Sequence, residues 1–227
     1  CPSRATFLTG QHSMNNGVIA NLPPDGGYAK LHPTHGNTLP AWLHTAGYKT
    51  FFAGKYLNGY GNPAAPDFSP PATTVPTGWD DWHGLVDCSY PCSGTVPSPY
   101  KMTNWRINDN GVVSVPQTAY LTDKLTDKAT DFIATQSGST QPFFMWLAYV
   151  APHHSNVDKI VEPAARHAGL FTGLPLPQPP SFNEADISDK PGFLQWPLMT
   201  PAGIGNITNE YRSRVRSLQA VDEGVEQ

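Results

Sequence analysis

Two apolar runs in this 227-residue sequence are followed closely by side chains capable of ionic chemistry. Lys55 follows Tyr48-Lys49-Thr50-Phe51-Phe52-Ala53-Gly54, and His153 and His154 follow the run Phe143 to Val150 across Ala151-Pro152. An ammonium can neutralise charge on a transferring group. An imidazole titrates near neutrality and can deliver a proton to a leaving group. Arg4 is a third such group, one turn into Pro2 to Thr9, where Pro at the start and Gly10 at the end are the signals of a short helix. The free N–H groups at that helix start suit a tetrahedral anion. Taken singly, a lysine at a strand end is usually a solvated charge, and two loop histidines are usually satisfied where they stand. Their common placement carries the argument.

The elements that must position them follow from periodicity. Leu39 to Ala46 reads as a helix with Leu39, Trp42 and Leu43 on one face and Gly47 as its stop, leading into the strand ending at Gly54. A helix feeding an apolar strand is the rhythm of an α/β sheet. Residues 59–99 read as loop. Asn108-Asp109-Asn110-Gly111 between apolar residues predicts a hairpin. Tyr120 to Ala134 predicts a helix with a stripe of Leu121, Leu125, Ala129, Phe132 and Ile133. Phe143 to Val150 suits a central strand buried on both faces. Residues 155–201 are proline-rich and irregular, and Asn206 to Gln227 predicts a helix with Ile207, Tyr211, Val215, Leu218, Val221 and Val225 at helical spacing. In open α/β sheets ligands bind beyond the carboxyl ends of the strands. Lys55 and His153 are therefore expected on one edge of the sheet.

Composition limits the function classes. Hydrophobic residues make up 39% and charged residues 14%, with 24 prolines and 20 glycines, which suits a globular protein with long ordered loops. The net charge of -4 leaves no basic footprint for nucleic acid, and no apolar stretch reaches the roughly 20 residues of a membrane span. Cys88 and Cys92 are close enough to pair, and equally could be two unrelated loop thiols. Asp80-Asp81 invites a cation reading, since paired carboxylates suit calcium.

Cys1-Pro2-Ser3-Arg4-Ala5-Thr6-Phe7-Leu8-Thr9-Gly10 resembles the signature of the formylglycine-dependent sulfatase family, Cys-x-Pro-Ser-Arg-x-x-x-Leu-Thr-Gly. Pro2, Ser3, Arg4, Leu8, Thr9 and Gly10 fall on the motif, which puts Cys1 at its variable position and the nucleophile immediately before Cys1. Gly54-Lys55-Tyr56-Leu57-Asn58 looks like the family's Gly-Lys block, and Ala151-Pro152-His153 like its Pro-His segment. Gly78-Trp79-Asp80-Asp81-Trp82, Tyr120-Leu121-Thr122-Asp123 and Pro180 to Asp186 resemble further blocks of the N-acetylglucosamine-6-sulfatase and bacterial arylsulfatase branch.

The resemblance implies an α/β, alkaline-phosphatase-like fold with a mixed sheet flanked by helices. Residues 1–227 would be an internal fragment, truncated at both ends: part of an N-terminal catalytic domain without its first strand, nucleophile and C-terminal portion. It implies a sulfuric ester hydrolase acting on sulfated sugars or aryl sulfates, with Arg4, Lys55 and His153 catalytic and Lys55, His153 and Asn58 binding substrate. The fragment alone is expected to be inactive. Many relatives carry His where Leu57 stands, and Asn58 is only a weak substitute. The family's calcium ligands would lie outside this chain, which sets aside Asp80-Asp81. The residue before Cys1 would be converted to formylglycine by a formylglycine-generating enzyme. Export to a periplasmic, extracellular or lysosomal space is also implied. The competing readings are a phosphodiesterase or phosphonate monoester hydrolase of the same superfamily, and a sulfated-glycan-binding protein without turnover.

Overall fold

The computed structural model describes residues 1–62, 71–88, 96–155 and 161–227. A five-stranded mixed sheet organises them, in the order β4-β3-β2-β1-β5. β1 (Lys49–Gly54) lies between β2 (Asp81–Leu85) and β5 (Phe143–Ala148) and is parallel to both. β3 (Ile107–Asp109) and β4 (Val112–Val113) extend the sheet as an antiparallel hairpin. Its turn residues Asn110 and Gly111 both have positive φ, 49° and 95°, as a tight two-residue hairpin turn requires.

Alternate side chains of β1 enter two cores, because a pleated strand sends successive residues to opposite faces. Phe52 packs with Ala5, Leu8, Tyr28, Tyr56 and Trp82 on one face. Phe51 and Ala53 pack with Leu85, Leu121, Leu125 and Phe132 on the other. The first core is roofed by α1 (Pro2–Thr9) and α3 (Gly27–Leu31), with α2 (Ser13–Asn16) and α4 (Leu39–Thr45) nearby. The second is covered by α5 (Leu121–Gln136), against which α6 (Pro201–Glu226) is laid. α1 ends at Gly10 in the left-handed conformation, φ 64°, the usual glycine helix stop.

Several expectations are corrected. Residues 59–99 contain a strand, β2, which the pattern concealed because two of its five residues are Asp81 and His83. Those two pair with each other at 3.0 Å, and His83 also pairs with Asp109 of β3 at 2.6 Å. The central strand is β1. β5 lies at the sheet's edge among the described strands, and its residues are mostly half-buried. Trp42 is exposed and α4 instead buries Pro40 and Ala41, where Gly78 comes so close that a Cβ there would overlap the Ala41 backbone. Ile133 is exposed although the rest of the α5 stripe is buried.

α6 departs furthest. It starts at Pro201, capped by Thr200 accepting from the Gly203 N–H at 3.1 Å, and it buries Ser217 and Ala220 rather than the apolar stripe. Gly224 explains that face: a Cβ there would collide with Thr126 and Tyr149. Ile207, Leu218 and Val225 are exposed. Cys88 is disulfide-bonded, and Cys92 lies outside the described residues.

Candidate active site

β1 and β5 run parallel, so the segments leaving their carboxyl ends emerge side by side. Gly54 makes the close passage possible. Its φ is 121°, and a Cβ would overlap the Ala148 carbonyl of β5. The next N–H, of Lys55, donates to that carbonyl at 3.0 Å. This turn drives the Lys55 side chain inward, leaving it 3% exposed. Leu57, also fully buried, is committed to the aromatic core.

Three side chains surround the Lys55 ammonium. Asn58 Oδ1 accepts from Nζ at 3.1 Å, and Asp87 Oδ2 lies 3.5 Å away. Nζ also sits 5.6 Å from the centre of the Tyr100 ring, within the range of a cation–π contact. Tyr100 OH donates to Asn58 Oδ1 at 3.2 Å, and its ring packs against His153 with centroids 4.7 Å apart. Tyr100 thus stands between the β1 lysine and the β5 histidine. Arg4 reaches the same region from α1, with Nη1 donating to the Tyr56 carbonyl at 2.7 Å. The structure therefore brings Arg4, Lys55, Asn58 and His153 to one edge of the sheet. Asp87 and Tyr100 join them, although their types alone gave no signal in the sequence. Asp87 directly follows the carboxyl end of β2, so recognising that strand would have exposed it.

Cys1 is held at the same place. Its Sγ accepts from the Asn58 N–H at 3.2 Å, and its own nitrogen donates to Asn21 Oδ1. The charges of Arg4 and Lys55 both act on the Cys1 backbone nitrogen. Whatever is joined to this nitrogen lies in the field of both cations.

The electrostatics are those of an anion receptor. Burial lowers the pKa of Lys55; Asp87 opposes this and Arg4 reinforces it. Burial likewise lowers Arg4. Tyr100 is pushed up to about 12 by burial, with the Asp87 charge adding to it, so it remains a donor at neutral pH. His153 is more exposed, and its partial burial lowers it below the usual value. Its Nδ1 lies 2.6 Å from the His154 carbonyl and must donate to it, which directs Nε2 outward. His154 is a neighbour held elsewhere, 3.2 Å from Glu210 and 3.3 Å from Arg214 of α6.

These residues do not form a calcium cradle. Asp87 is engaged by N–H groups and an ammonium. Among the described residues no three His, Cys, Asp or Glu side chains converge as a metal site. Asp80 accepts from the Thr50 N–H at 2.9 Å and pairs with His44, while Asp81 is held by His83 and Asn110. Both serve the start of β2, away from the ligand edge.

The chain matches the sulfatase family model over residues 1–227, and it belongs to that family. It is 32% identical over 243 residues to an arylsulfatase of Volvox carteri, covering 98% of this chain and 35% of that protein. It is 32% identical over 234 residues to human N-acetylglucosamine-6-sulfatase, covering 100% and 39%. The chain thus spans little more than a third of the length of these relatives. Among solved structures, a protein in complex with its substrate D-glucosamine-2-N,6-O-disulfate superposes with a TM-score of 0.60 at 20% identity, covering 99% of this chain and 50% of that one. The fold is accordingly the mixed α/β, alkaline-phosphatase-like fold of sulfatases.

Proposed function

We propose that the protein carrying this chain hydrolyses sulfate esters of sugars, with 6-sulfated amino sugars as the leading substrate class and aryl sulfates as accessory substrates. The observation that carries the reading is the buried Lys55 ammonium beside Arg4, at the start of α1, with His153 across the Tyr100 ring. The names of the human relative and of the disulfated-glucosamine complex support the substrate class. Residues 1–227 are read as part of the N-terminal catalytic domain.

Each residue has a chemical task. Arg4 and Lys55 neutralise charge on the sulfate oxygens, in a setting where few waters compete. Asn58 acts through Lys55, fixing its ammonium. As the sulfur–oxygen bond to the sugar breaks, the leaving oxygen takes the Nε2 proton of the His153 imidazolium, which becomes the neutral Nδ1–H ring, and the His154 carbonyl holds the ring in that orientation. Formylglycine at the position joined to the Cys1 nitrogen would supply the hydrated aldehyde that attacks sulfur. The fit is favourable, since that position lies in the field of both cations. A formylglycine-generating enzyme is then a required partner. Calcium would have to be held by residues outside this chain, and no step is assigned to it. Export is supported by a Drosophila melanogaster relative named an extracellular sulfatase; among the described residues no helix is long and apolar enough to cross a membrane.

The test is a substrate panel on the full-length protein co-expressed with a formylglycine-generating enzyme. The expected result is a kcat/KM for N-acetylglucosamine 6-sulfate or an aryl sulfate well above that for a bis-aryl phosphodiester. A dominant phosphodiester rate would establish the phosphodiesterase reading. Binding of the sulfated sugar without turnover would establish the non-catalytic one.

A further inference from the structure

The carboxylate of Asp87 is held as few surface acids are. Its Oδ2 accepts from the Gly59 N–H at 2.6 Å and faces Lys55 Nζ at 3.5 Å, while Oδ1 accepts from the Cys88 N–H at 3.0 Å. Its own N–H donates to the Tyr60 carbonyl at 2.8 Å. The side chain is 10% exposed. Two backbone donors from different segments leave it one orientation, and that orientation faces the ammonium. Such rigidity exceeds what a solvated counter-ion needs.

We propose that Asp87 is a positioning and charge-setting residue of the anion site, which fixes the Lys55 ammonium and matches the pocket to a singly charged ester. Arg4 and Lys55 contribute two positive charges and Asp87 one negative, so the carboxylate lowers this chain's share of the pocket by one charge whatever the protonation of His153. A sulfate monoester carries one negative charge at neutral pH, whereas a phosphate monoester carries close to two. With Asp87 ionised, the second phosphate charge meets a carboxylate a few ångströms behind the lysine. Replacing Asp87 by a neutral isostere raises the pocket's charge by one and removes that penalty. Charge contributed from outside this chain is the same in both proteins and cancels in the comparison.

The groups facing Lys55 are Asp87 behind β2, Arg4 of α1, the Tyr100 phenol, His153 behind β5 and the Cys1 nitrogen. Asp87 is the only one of these that favours the protonated ammonium by its charge. This inference rests on the anion-site reading above, so the experiment is ordered to separate the two. Wild-type full-length protein is first assayed on 4-nitrophenyl sulfate and 4-nitrophenyl phosphate. Absence of sulfatase activity there defeats the functional reading, independently of Asp87.

Given wild-type activity, Asp87→Asn is compared with Asp87→Glu. The expected result for Asp87→Asn is a phosphate-to-sulfate ratio of kcat/KM raised on the order of tenfold. Its higher-pH alkaline limb, set by Lys55 and distinct from the His153 limb, should also move to lower pH, because Lys55 loses its ammonium earlier without the carboxylate. Asp87→Glu, keeping the charge, should restore both in part. If Asp87→Asn is too unstable to assay, Asp87→Ser, which also removes the charge, is compared with wild type on the same two esters. An equal fall on both substrates with an unmoved alkaline limb would reduce Asp87 to a structural role and overturn the proposal.

Discussion

His35 offers a prediction whose size follows from the structure. It is 3% exposed, and neither ring nitrogen has a hydrogen-bond partner among the described residues. Its ring lies among Tyr28, His32 and Tyr56, with centroids 5.1, 5.1 and 6.0 Å away. Charging an imidazole there is costly, and burial, aided by the neighbouring His32, pushes its pKa down from 6.5 to about 3. The unfolded chain titrates normally, so between pH 6.5 and 3 it binds more protons than the folded one. Stability is fully present above 6.5, falls as the pH drops below it, and stops falling near 3. The full difference is about 5 kcal/mol, of which about 2 kcal/mol has been lost at pH 5. The assay is denaturant unfolding of the full-length protein at pH 8 and pH 5, for wild type and His35→Phe. The variant, which removes two unsatisfied nitrogens, should match or exceed wild type at pH 8 and lose about 2 kcal/mol less on acidification. Equal acid losses in the two proteins would refute the burial argument.

Two other outcomes are expected. Gly54→Ala places a Cβ on the Ala148 carbonyl at a φ of 121°, so it should cost about 3 kcal/mol or more and lower activity with it; a thermal midpoint equal to wild type would show that β1 and β5 can part freely. The partial burial that lowers His153 should put a limb of the kcat/KM profile below pH 6.5, with activity falling as pH rises through it. A bound sulfate ester favours the imidazolium and should carry the corresponding kcat limb to higher pH. A limb that persists unmoved in His153→Gln would assign the proton to another group.

How far the sequence disclosed the site depended on strand recognition. β1 and the Asn110-Gly111 hairpin were legible because apolar continuity and turn chemistry are local properties. Lys55 and His153 could be placed on one edge, since each follows a strand that its apolar run marks, while Arg4 was singled out by the helix start at Pro2. Asp87 and Tyr100 were hidden because β2 carries Asp81 and His83, whose polar groups are met across the sheet by each other, Asp109 and Asn110. A polar strand of that kind acquires its sense from tertiary pairing, not from periodicity. α6 was legible as a helix, but its buried face was not, for the converse reason. Its apolar positions do recur at helical spacing, yet Gly224 and Ala220 offer the closer approach to α5, and close packing selected the small-residue face over the apolar one. Among the described strands, the double burial that both apolar runs suggest is seen for β1, while β5 is half-buried at the edge.

The central claim, that a buried lysine and its neighbours form the anion site of a sulfate-ester hydrolase, is tested most directly by Lys55→Met in the full-length protein. Methionine keeps the length and apolar stem of the side chain and removes only the charge. Steady-state kinetics on a sulfated N-acetylglucosamine should show kcat/KM reduced about a hundredfold or more, with a lowered unfolding midpoint because Asp87 loses its cation, but a retained fold because that carboxylate keeps its two backbone N–H donors. A folded variant that hydrolyses the sulfate ester within a few-fold of the wild-type rate would contradict the account.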